Sequence, residues 1–323
     1  MKLKVVTGLA LSALLVWLSV RGIDVGSVCS GLSAMNGFYA VASLAVMFLM
    51  QALRAVRWGM MLAPLDPSIG KFTIFSITNV GFMAIIAIPA RLGELARPYL
   101  LSRKSSISMS SALGTIFLER VLDILAVLVI AAVIFFLTPL PPWLFRAGII
   151  LASTSSAAFA LMAIAIYHRK KAAPFLSSLS RRIPERIPSR LAGIFDYFVD
   201  GLSIMKHRSL FGGVVLATFF IWFADALAIY FLFQAFSMNL PTTAPFVLMI
   251  ILIAGIAIPV APGFIGNWHY FCILGLGIFN VAKPEALAFA VVYHALSIGI
   301  ILVLGFIFLP FDNFSLNDLK KRK

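Results

Sequence analysis

Apolar stretches of about 20 residues recur along the whole chain, and they limit its fold more than any other feature. A helix of that length crosses the hydrocarbon core of a bilayer, because each residue advances it by about 1.5 Å. Little of the 323-residue chain remains for a separate soluble domain. The sequence therefore predicts an all-α polytopic membrane protein with a single membrane domain, residues 1–323.

The composition leads to the same fold class. Hydrophobic residues make up 62% of the chain and charged residues 12%, whereas about a quarter of a soluble protein is charged. The N-terminus has the basic start and apolar stretch of a signal peptide, but it lacks a small-x-small cleavage site. We therefore expect a retained first helix followed by an outer loop, together residues 1–37.

About six segments have the length and character of crossing helices. They cover residues 5–20, 38–54, 111–137, 143–167, 210–236 and 286–309. Two further apolar segments, residues 72–101 and 244–279, are interrupted by proline and glycine. The interruptions fall at Pro89 and Gly93 in the first segment and at Pro259, Pro262, Gly263 and Gly266 in the second. Because broken helices occur where the backbone is buried or lines a cavity, we expect two re-entrant hairpins.

The basic residues predict the orientation. With the N-terminus inside, 20 of the 26 lysines and arginines fall on the cytoplasmic side, including Arg54, Arg57 and the basic tail, residues 311–323. This asymmetry predicts a protein of the plasma (inner) membrane with both termini in the cytoplasm. It also explains most of the net charge of +14 without a nucleic acid partner.

A connecting helix, residues 138–167, and a polar cytoplasmic segment, residues 168–209, separate the two halves of the chain. Within the polar segment apolar residues recur at helical spacing. They are Leu191, Ile194, Phe195, Phe198, Leu202 and Met205. This amphipathic helix either lies on the membrane surface or caps the floor of the helix bundle.

The two halves predict an internal repeat, with the first unit at residues 38–137 and the second at 210–310. "SALGTIFLERVLDILAVLV" (111–129) and "EALAFAVVYHALSIGIILV" (285–303) align without gaps. Three predicted crossings separate the starts of the units, and an odd number inverts the second unit relative to the first. Inverted repeats with paired broken helices place transporter sites near the membrane midplane.

Two groups of charges in the first unit are candidates for substrate binding. Arg91, Glu94 and Arg97 follow Pro89 at spacings of three and share one face if that segment is helical. Two arginines beside a helix N-terminus favour a phosphate or carboxylate.

The second group, Glu119, Arg120 and Asp123, lies inside a predicted span, where charges pair or line a pathway. Two interpretations stay open. The two carboxylates either form a substrate or proton pathway or neutralise Arg91 and Arg97 and so hold the hairpin to this helix.

The second unit carries isolated polar residues, Asp225, Asn267, His269 and His294. Membrane-embedded Asp and His can relay protons, so we consider a pathway or relay here, against the alternative of ordinary buried hydrogen bonding. The sequence contains no HExxH, GxSxG or Walker-type motif, and it predicts no metal, no cofactor and no enzyme activity.

The segment "IPARLGELARPYLLSRKSSISMSSALGTIFLERVLD" (88–123) resembles the membrane region, or flippase domain, of lysylphosphatidylglycerol synthases and their stand-alone relatives. "IPVAPGFIGNWH" (258–269) is similar to the Pro-Gly-x-x-Gly segment of that family. The resemblance implies lipid flipping and a polar motif. The motif comprises Arg91, Gly93, Glu94, Arg97, Glu119, Arg120 and Asp123. The chain departs from the two-domain synthases by lacking their aminoacyl-transfer domain, so we expect it not to make the lipid. It also has Asn267 and His269 near a position where the family often has an acidic residue.

From these observations we expect a flippase or transporter for an anionic phospholipid or a polyprenyl-phosphate lipid. The alternatives are a membrane-embedded transferase that acts on a lipid-linked substrate and a non-transporting partner of a separate lipid-modifying enzyme. A homodimer is compatible with the sequence, but no feature selects it.

Overall fold

The computed structural model describes residues 13–22, 25–88, 93–138, 142–167, 193, 196–256 and 262–312. All regular structure in these ranges is helical, and they contain no strand. We number the helices α1 (13–20), α2 (Val25–Ser33), α3 (Gly37–Leu62), α4 (Lys71–Ala87), α5 (Ala96–Lys104), α6 (Met109–Leu137), α7 (Pro142–Tyr167), α8 (196–201), α9 (Arg208–Ala235), α10 (Ala244–Ile256), α11 (Asn267–Gly277) and α12 (Lys283–Asp312).

Four of these helices, α3, α6, α9 and α12, are long and apolar enough to cross a membrane. They correspond to four of the six predicted crossings and confirm an all-α integral membrane protein. The predicted crossing at residues 5–20 is described only from residue 13, and the one at 143–167 lies in α7, where a shorter apolar stretch covers Gly148–Ile164. The total number of crossings stays a prediction.

Each predicted hairpin is a pair of short helices that pack against each other, α4 with α5 and α10 with α11. These helices have 17, 9, 13 and 11 residues, fewer than the roughly 20 that a crossing needs. Pro89 and Pro259 lie outside the described residues, whereas Gly93 lies in the turn before α5. A Cβ on Gly93 would come within 2.1 Å of the Ala84 carbonyl oxygen, so this close approach of the two arms requires glycine.

The second hairpin turns through two glycines and a proline at its described end. Pro262 begins the short 3₁₀ helix Pro262–Phe264, and Gly263 within it has a φ of 68°. Gly266, with a φ of 95°, precedes α11. Both glycines occupy left-handed backbone that other residues rarely adopt, which explains why the sequence signal for this break is correct.

The helices of the two units make matching contacts. The first helices of the units, α3 and α9, pack against each other most extensively. Helix α4 packs on α12, and its counterpart α10 packs on α6; likewise, the pairs α5–α6 and α11–α12 correspond. If a two-fold axis relates the units, the hairpin of each unit packs on the long helix of the other unit, as these contacts do. The orientation of the units in the membrane and their exact bounds stay predictions.

The described part of the polar segment packs into the bundle floor. The side chains of Val199, Leu202 and Ile204 are buried, and the Phe198 ring lies 5.8 Å from that of Phe117 on α6. This burial favours the capping interpretation over a helix that lies on the membrane surface. Leu191, Ile194 and Phe195 lie outside the described residues.

Helix α3 differs from the predicted crossing in its C-terminal end. Asn36 caps its N-terminus by accepting a hydrogen bond from the Phe38 amide at 3.0 Å, close to the predicted start. The helix continues to Leu62, eight residues beyond Arg54, so, contrary to the prediction, Arg54 is not the last residue of the crossing and Arg57 does not lie in the loop after it. The charge of Arg57 is accommodated inside the bundle because α6 supplies two carboxylates to it.

Candidate functional site

Glu119 on α6 lies at the centre of a buried network of charges that we call the ion cluster: Arg57, Arg97, Glu119, Arg120 and Asp123. Arg97 on α5 donates to both carboxylate oxygens of Glu119, at 3.0 and 3.1 Å. Arg120 donates to the same carboxylate at 3.0 Å, and Arg57 on α3 approaches it at 3.3 Å. Three helices therefore meet at a carboxylate that is 1% exposed.

Asp123 lies one helical turn after Glu119 and pairs chiefly with Arg57. The two Arg57 Nη atoms contact the two Asp123 carboxylate oxygens at 2.5 and 3.3 Å, and Arg120 contacts Asp123 at 3.8 Å. Arg57 also donates to the Thr218 hydroxyl on α9 at 3.1 Å. This last bond links the ion cluster of the first unit to the second unit.

Arg97 is held in place on several sides. Its guanidinium carbon lies 4.2 Å from the centre of the Trp58 ring and 5.4 Å from that of Phe82. A Cβ on Gly81 would come within 2.1 Å of Arg97 Cγ, so the stem of Arg97 lies in the space that Gly81 leaves open. Arg97 is 1% exposed. The contact between Arg97 and Glu119 is the one that the hairpin-holding interpretation predicts.

Three further charged residues of the first unit are predicted as site residues: Arg91, Glu94 and Asp123. Asp123 pairs with Arg57 and Arg120. Glu94 lies half-buried in the turn before α5, and Arg91 lies outside the described residues. Both interpretations of the Glu119 and Asp123 carboxylates stay compatible with this arrangement, because Asp123 also borders a cavity.

This cavity has a volume of about 240 Å³ including its open mouth, and we call it the arginine cavity. Its lining comprises Arg54, Arg57, Phe82, Arg120, Asp123, Ile221 and Trp222. The first five belong to the first unit and the last two belong to α9, so the cavity lies between the units. Ligand sites of transporters with inverted repeats occupy such positions.

Several donors around the arginine cavity have no protein partner. Among the described residues, no acceptor bonds to Nε of Arg57, Nε of Arg120 or the indole Nε1 of Trp222. Arg54 donates to the Gln51 side chain at 2.7 Å, and its guanidinium carbon lies 4.8 Å from the Phe82 ring centre. Arg54 also interacts electrostatically with Asp225. Unpaired buried donors are uncommon in proteins, and they indicate a place for an acceptor.

Sequence reasoning missed Arg54 and Arg57 as site residues. The predicted crossing ends at Arg54, because a charge marks the end of an apolar run, and Arg57 falls in the loop after it. The signal that could have found them is the apolar sequence that continues after them, "WGMML", together with their spacing of three, which places them on neighbouring helix positions.

The second unit holds an aromatic cluster at the equivalent junction: Trp268, His269, Tyr293 and His294. The His269 and His294 ring centres lie 4.9 Å apart, and the Trp268 ring lies 5.1 Å from that of Tyr293. His294 Nε2 lies 2.7 Å from the Gly263 carbonyl oxygen. The structure thus brings together two of the predicted relay residues, His269 and His294.

The other two predicted relay residues lie at the border of this cluster. The Tyr293 hydroxyl donates to Asp225 on α9 at 3.4 Å, which connects the aromatic cluster to the neighbour of Arg54. Asn267 is fully buried and donates to the Gly255 carbonyl oxygen at 3.2 Å, across the arms of the second hairpin. Its observed contact is therefore a structural one within the hairpin.

Comparison with known proteins gives related membrane proteins along most of the chain. A UPF0104 membrane protein of Methanocaldococcus jannaschii is 28% identical over 68% of this chain and 89% of its own length. A UPF0104 membrane protein of Methanothermobacter thermautotrophicus is 24% identical over 91% of both chains. Glycosyltransferase AglD of Haloferax volcanii is 22% identical over 94% of this chain, which spans only 54% of that protein.

The family model described as the lysylphosphatidylglycerol synthase TM region matches residues 5–305. This range includes both hairpins, the ion cluster and the aromatic cluster. The chain therefore belongs to the lysylphosphatidylglycerol synthase transmembrane-region family, as the two hairpin sequences predict.

Proposed function

We propose that this protein moves lipids with an anionic headgroup across the membrane. The observation that carries the proposal is the arginine cavity, in which three arginines and one carboxylate face a space between two repeated units. Membership of a family named after a lipid synthase supports a lipid as the cargo. The headgroup enters the cavity from the membrane while the acyl chains stay among the lipids.

The arginines divide into two roles in this proposal. Arg97 donates from both Nη atoms to Glu119 and is 1% exposed, so it holds α5 to α6. Arg54, Arg57 and Arg120 line the cavity. Arg57 is nearly as buried as Arg97 and pairs through both Nη atoms with Asp123 and Glu119, so it offers the headgroup its Nε alone, whereas Arg54 and Arg120 bind the headgroup directly. An arginine fork is suited to phosphate, because it offers parallel N–H donors as well as charge.

The aromatic cluster supplies a route for coupling to protons. His269 and His294 are adjacent, and Tyr293 connects this region to Asp225, which interacts with Arg54 of the cavity. Membrane-embedded Asp and His serve as proton relays in transporters. In this proposal, a proton that reaches Asp225 weakens its hold on Arg54 and thereby changes the affinity for the anion.

The test is translocation by purified protein in liposomes, with fluorescent phosphatidylglycerol and phosphatidylcholine as probes. We expect transport of the anionic lipid only and its loss in Arg120→Gln, because this variant removes a cavity arginine while Glu119 keeps Arg57 and Arg97. Arg208→Gln is the matched control, because Arg208 is exposed at the start of α9. Equal rates for wild type, Arg120→Gln and empty liposomes would contradict the proposal.

The same samples test the transferase alternative, since the Haloferax relative is named a glycosyltransferase. A transferase predicts a chemically new lipid, which mass spectrometry of the recovered lipids would detect; we expect unmodified lipid. A non-transporting partner predicts that the cavity variants keep full function in cells while changes on the surface of α8 abolish it.

A further inference from the structure

We infer that the arginine cavity selects a phosphomonoester, so that the cargo is a lipid whose headgroup is a bare terminal phosphate. This inference rests on the proposed function and specifies its substrate class. A phosphomonoester offers three terminal oxygens and a charge between one and two negative units near neutral pH. A phosphodiester offers two such oxygens and one negative charge.

The donors around the cavity match the larger number of oxygens. Arg57 Nε, Arg120 Nε and Trp222 Nε1 are three N–H groups without a partner among the described residues. They belong to residues on α3, α6 and α9 that line the cavity. Arg57 is 2% exposed, which makes its unpaired donor costly unless a ligand satisfies it.

The charges favour the same ligand. Around the cavity, four arginines (Arg54, Arg57, Arg97 and Arg120) meet three carboxylates (Glu119, Asp123 and Asp225), which leaves positive charge in excess. A headgroup that carries an ammonium group would place its cation beside these arginines. The cavity therefore disfavours ethanolamine, choline and aminoacyl headgroups.

The lining of the cavity offers donors more than acceptors. Besides the charged residues, its lining is Phe82, Ile221 and Trp222. These three side chains offer no acceptor, so Asp123 is the one carboxylate in this lining for the hydroxyl groups of glycerol or a sugar, and Arg57 and Arg120 already pair with it. A bare phosphate attached to an acyl or prenyl chain needs no such acceptor.

The experiment compares lipids with identical acyl chains in proteoliposomes, with empty liposomes for the spontaneous rate. We expect phosphatidic acid to move at least about tenfold faster than phosphatidylglycerol, which corresponds to about 1.4 kcal/mol of discrimination. Phosphatidylethanolamine should stay at the spontaneous rate. We also expect Arg54→Gln and Arg120→Gln to remove the preference for phosphatidic acid, and Arg208→Gln to keep it.

The outcomes separate the inference from the proposed function. Equal rates for phosphatidic acid and phosphatidylglycerol overturn the inference but leave anionic lipid transport intact. If neither lipid moves, the proposed function fails, and thermal stabilisation of the detergent-solubilised protein decides whether the cavity selects a phosphomonoester. In that measurement short-chain phosphatidic acid should raise the unfolding temperature more than short-chain phosphatidylglycerol; equal shifts overturn the inference.

The thermal measurement also distinguishes a lipid from a soluble phosphate. Glycerol phosphate carries the same terminal group without acyl chains, so we expect it to stabilise the protein far less than short-chain phosphatidic acid. Equal stabilisation by both would overturn the assignment to a lipid. Loss of the phosphatidic acid effect in Arg120→Gln, with retention in Arg208→Gln, assigns the binding to the arginine cavity; retention in both variants overturns that assignment.

Discussion

The junction of α3, α5 and α6 in the first unit and the junction of α9, α11 and α12 in the second unit make corresponding helix contacts but carry different chemistry. Glu119 occupies the first junction and receives Arg97 from α5. Its aligned position, Tyr293, receives the Trp268 ring from α11. The same backbone arrangement is thus closed by ion pairs in one unit and by edge-to-face ring contacts in the other.

This difference shows how one of two repeated units can carry the charged site while the other keeps the same helix packing. Buried ion pairs depend on every partner, because removal of one leaves an uncompensated charge in a low dielectric. Aromatic contacts tolerate the loss of one polar group better, because most of their stabilisation comes from buried area. We therefore expect the first unit to be sensitive to changes of charge and the second to be sensitive to changes of size.

The largest effect should come from Glu119→Gln. This variant leaves Arg97, Arg57 and Arg120 without their shared carboxylate, and breaking a buried pair costs about 3–5 kcal/mol. The matched variant, Tyr293→Phe, loses one hydrogen bond of 3.4 Å, for which we expect about 0.5–1.5 kcal/mol. Thermal unfolding in detergent measures both. Similar losses in the two variants would remove the distinction between the junctions.

Gly81→Ala should come next. Its new Cβ would lie 2.1 Å from Arg97 Cγ and would push Arg97 away from Glu119, so we expect a loss of about 1–3 kcal/mol from overpacking. Gly299→Ala on α12 is the control, because no atom lies within 4 Å of its added Cβ. This control should be neutral or slightly stabilising, since alanine favours helix. A fully stable Gly81→Ala protein would show that Arg97 is not held as described.

A smaller effect, on rate rather than stability, tests the relay. We expect His294→Gln to slow translocation driven by a proton gradient several-fold and to leave the unfolding temperature nearly unchanged, because glutamine can still bond to the Gly263 carbonyl oxygen. His207→Gln is the control, since His207 is exposed outside the aromatic cluster. Equal gradient-driven rates in wild type and His294→Gln would argue against a relay at this position.

The smallest effect should come from Asp66, in the loop between α3 and α4. Hydrogen bonds from the Ser68 side chain and amide and from the Ser106 hydroxyl hold the pKa of Asp66 below its ordinary value of 3.8. A lowered folded-state pKa adds stability above that ordinary value and loses it as the pH falls through the folded-state pKa. Asp66→Asn should therefore be slightly less stable than wild type near neutral pH.

This difference should shrink as the pH falls below 3.8 and through the lowered folded-state pKa, because the wild-type carboxylate then becomes protonated and loses its charge. Unfolding temperatures of both proteins across the pH range measure it. A difference that persists unchanged at low pH would show that the Asp66 charge does not stabilise this loop.

Much of the fold follows from the order of apolar residues along the chain. The crossings that became α6, α9 and α12 and the two hairpins agree with the structure to within a few residues, because burial in lipid demands long apolar helices and glycine permits tight turns. The predicted end of α3, at Arg54, is wrong because Arg54 and Arg57 resemble the start of a loop until their partners are known.

The candidate site was only partly predictable. Helical spacing placed Glu119 and Asp123 on one face, and the broken hairpin brought Arg97 into consideration. The pairing of Arg57 with Asp123 and the position of Trp222 at the cavity could not be foreseen, because they depend on how α3 and α9 pack against α6. Such contacts join residues far apart in sequence, and no local pattern records them.

The sequence by itself determined the membrane environment, the helical class, the two breaks and the types of charge available inside the bundle. These properties are local, since each depends on the hydropathy and backbone preferences of a short stretch. Only the tertiary structure decided which arginines are buried in ion pairs and which of them also line a cavity. The reason is that the energy of a buried charge depends on the partners that distant helices bring to it.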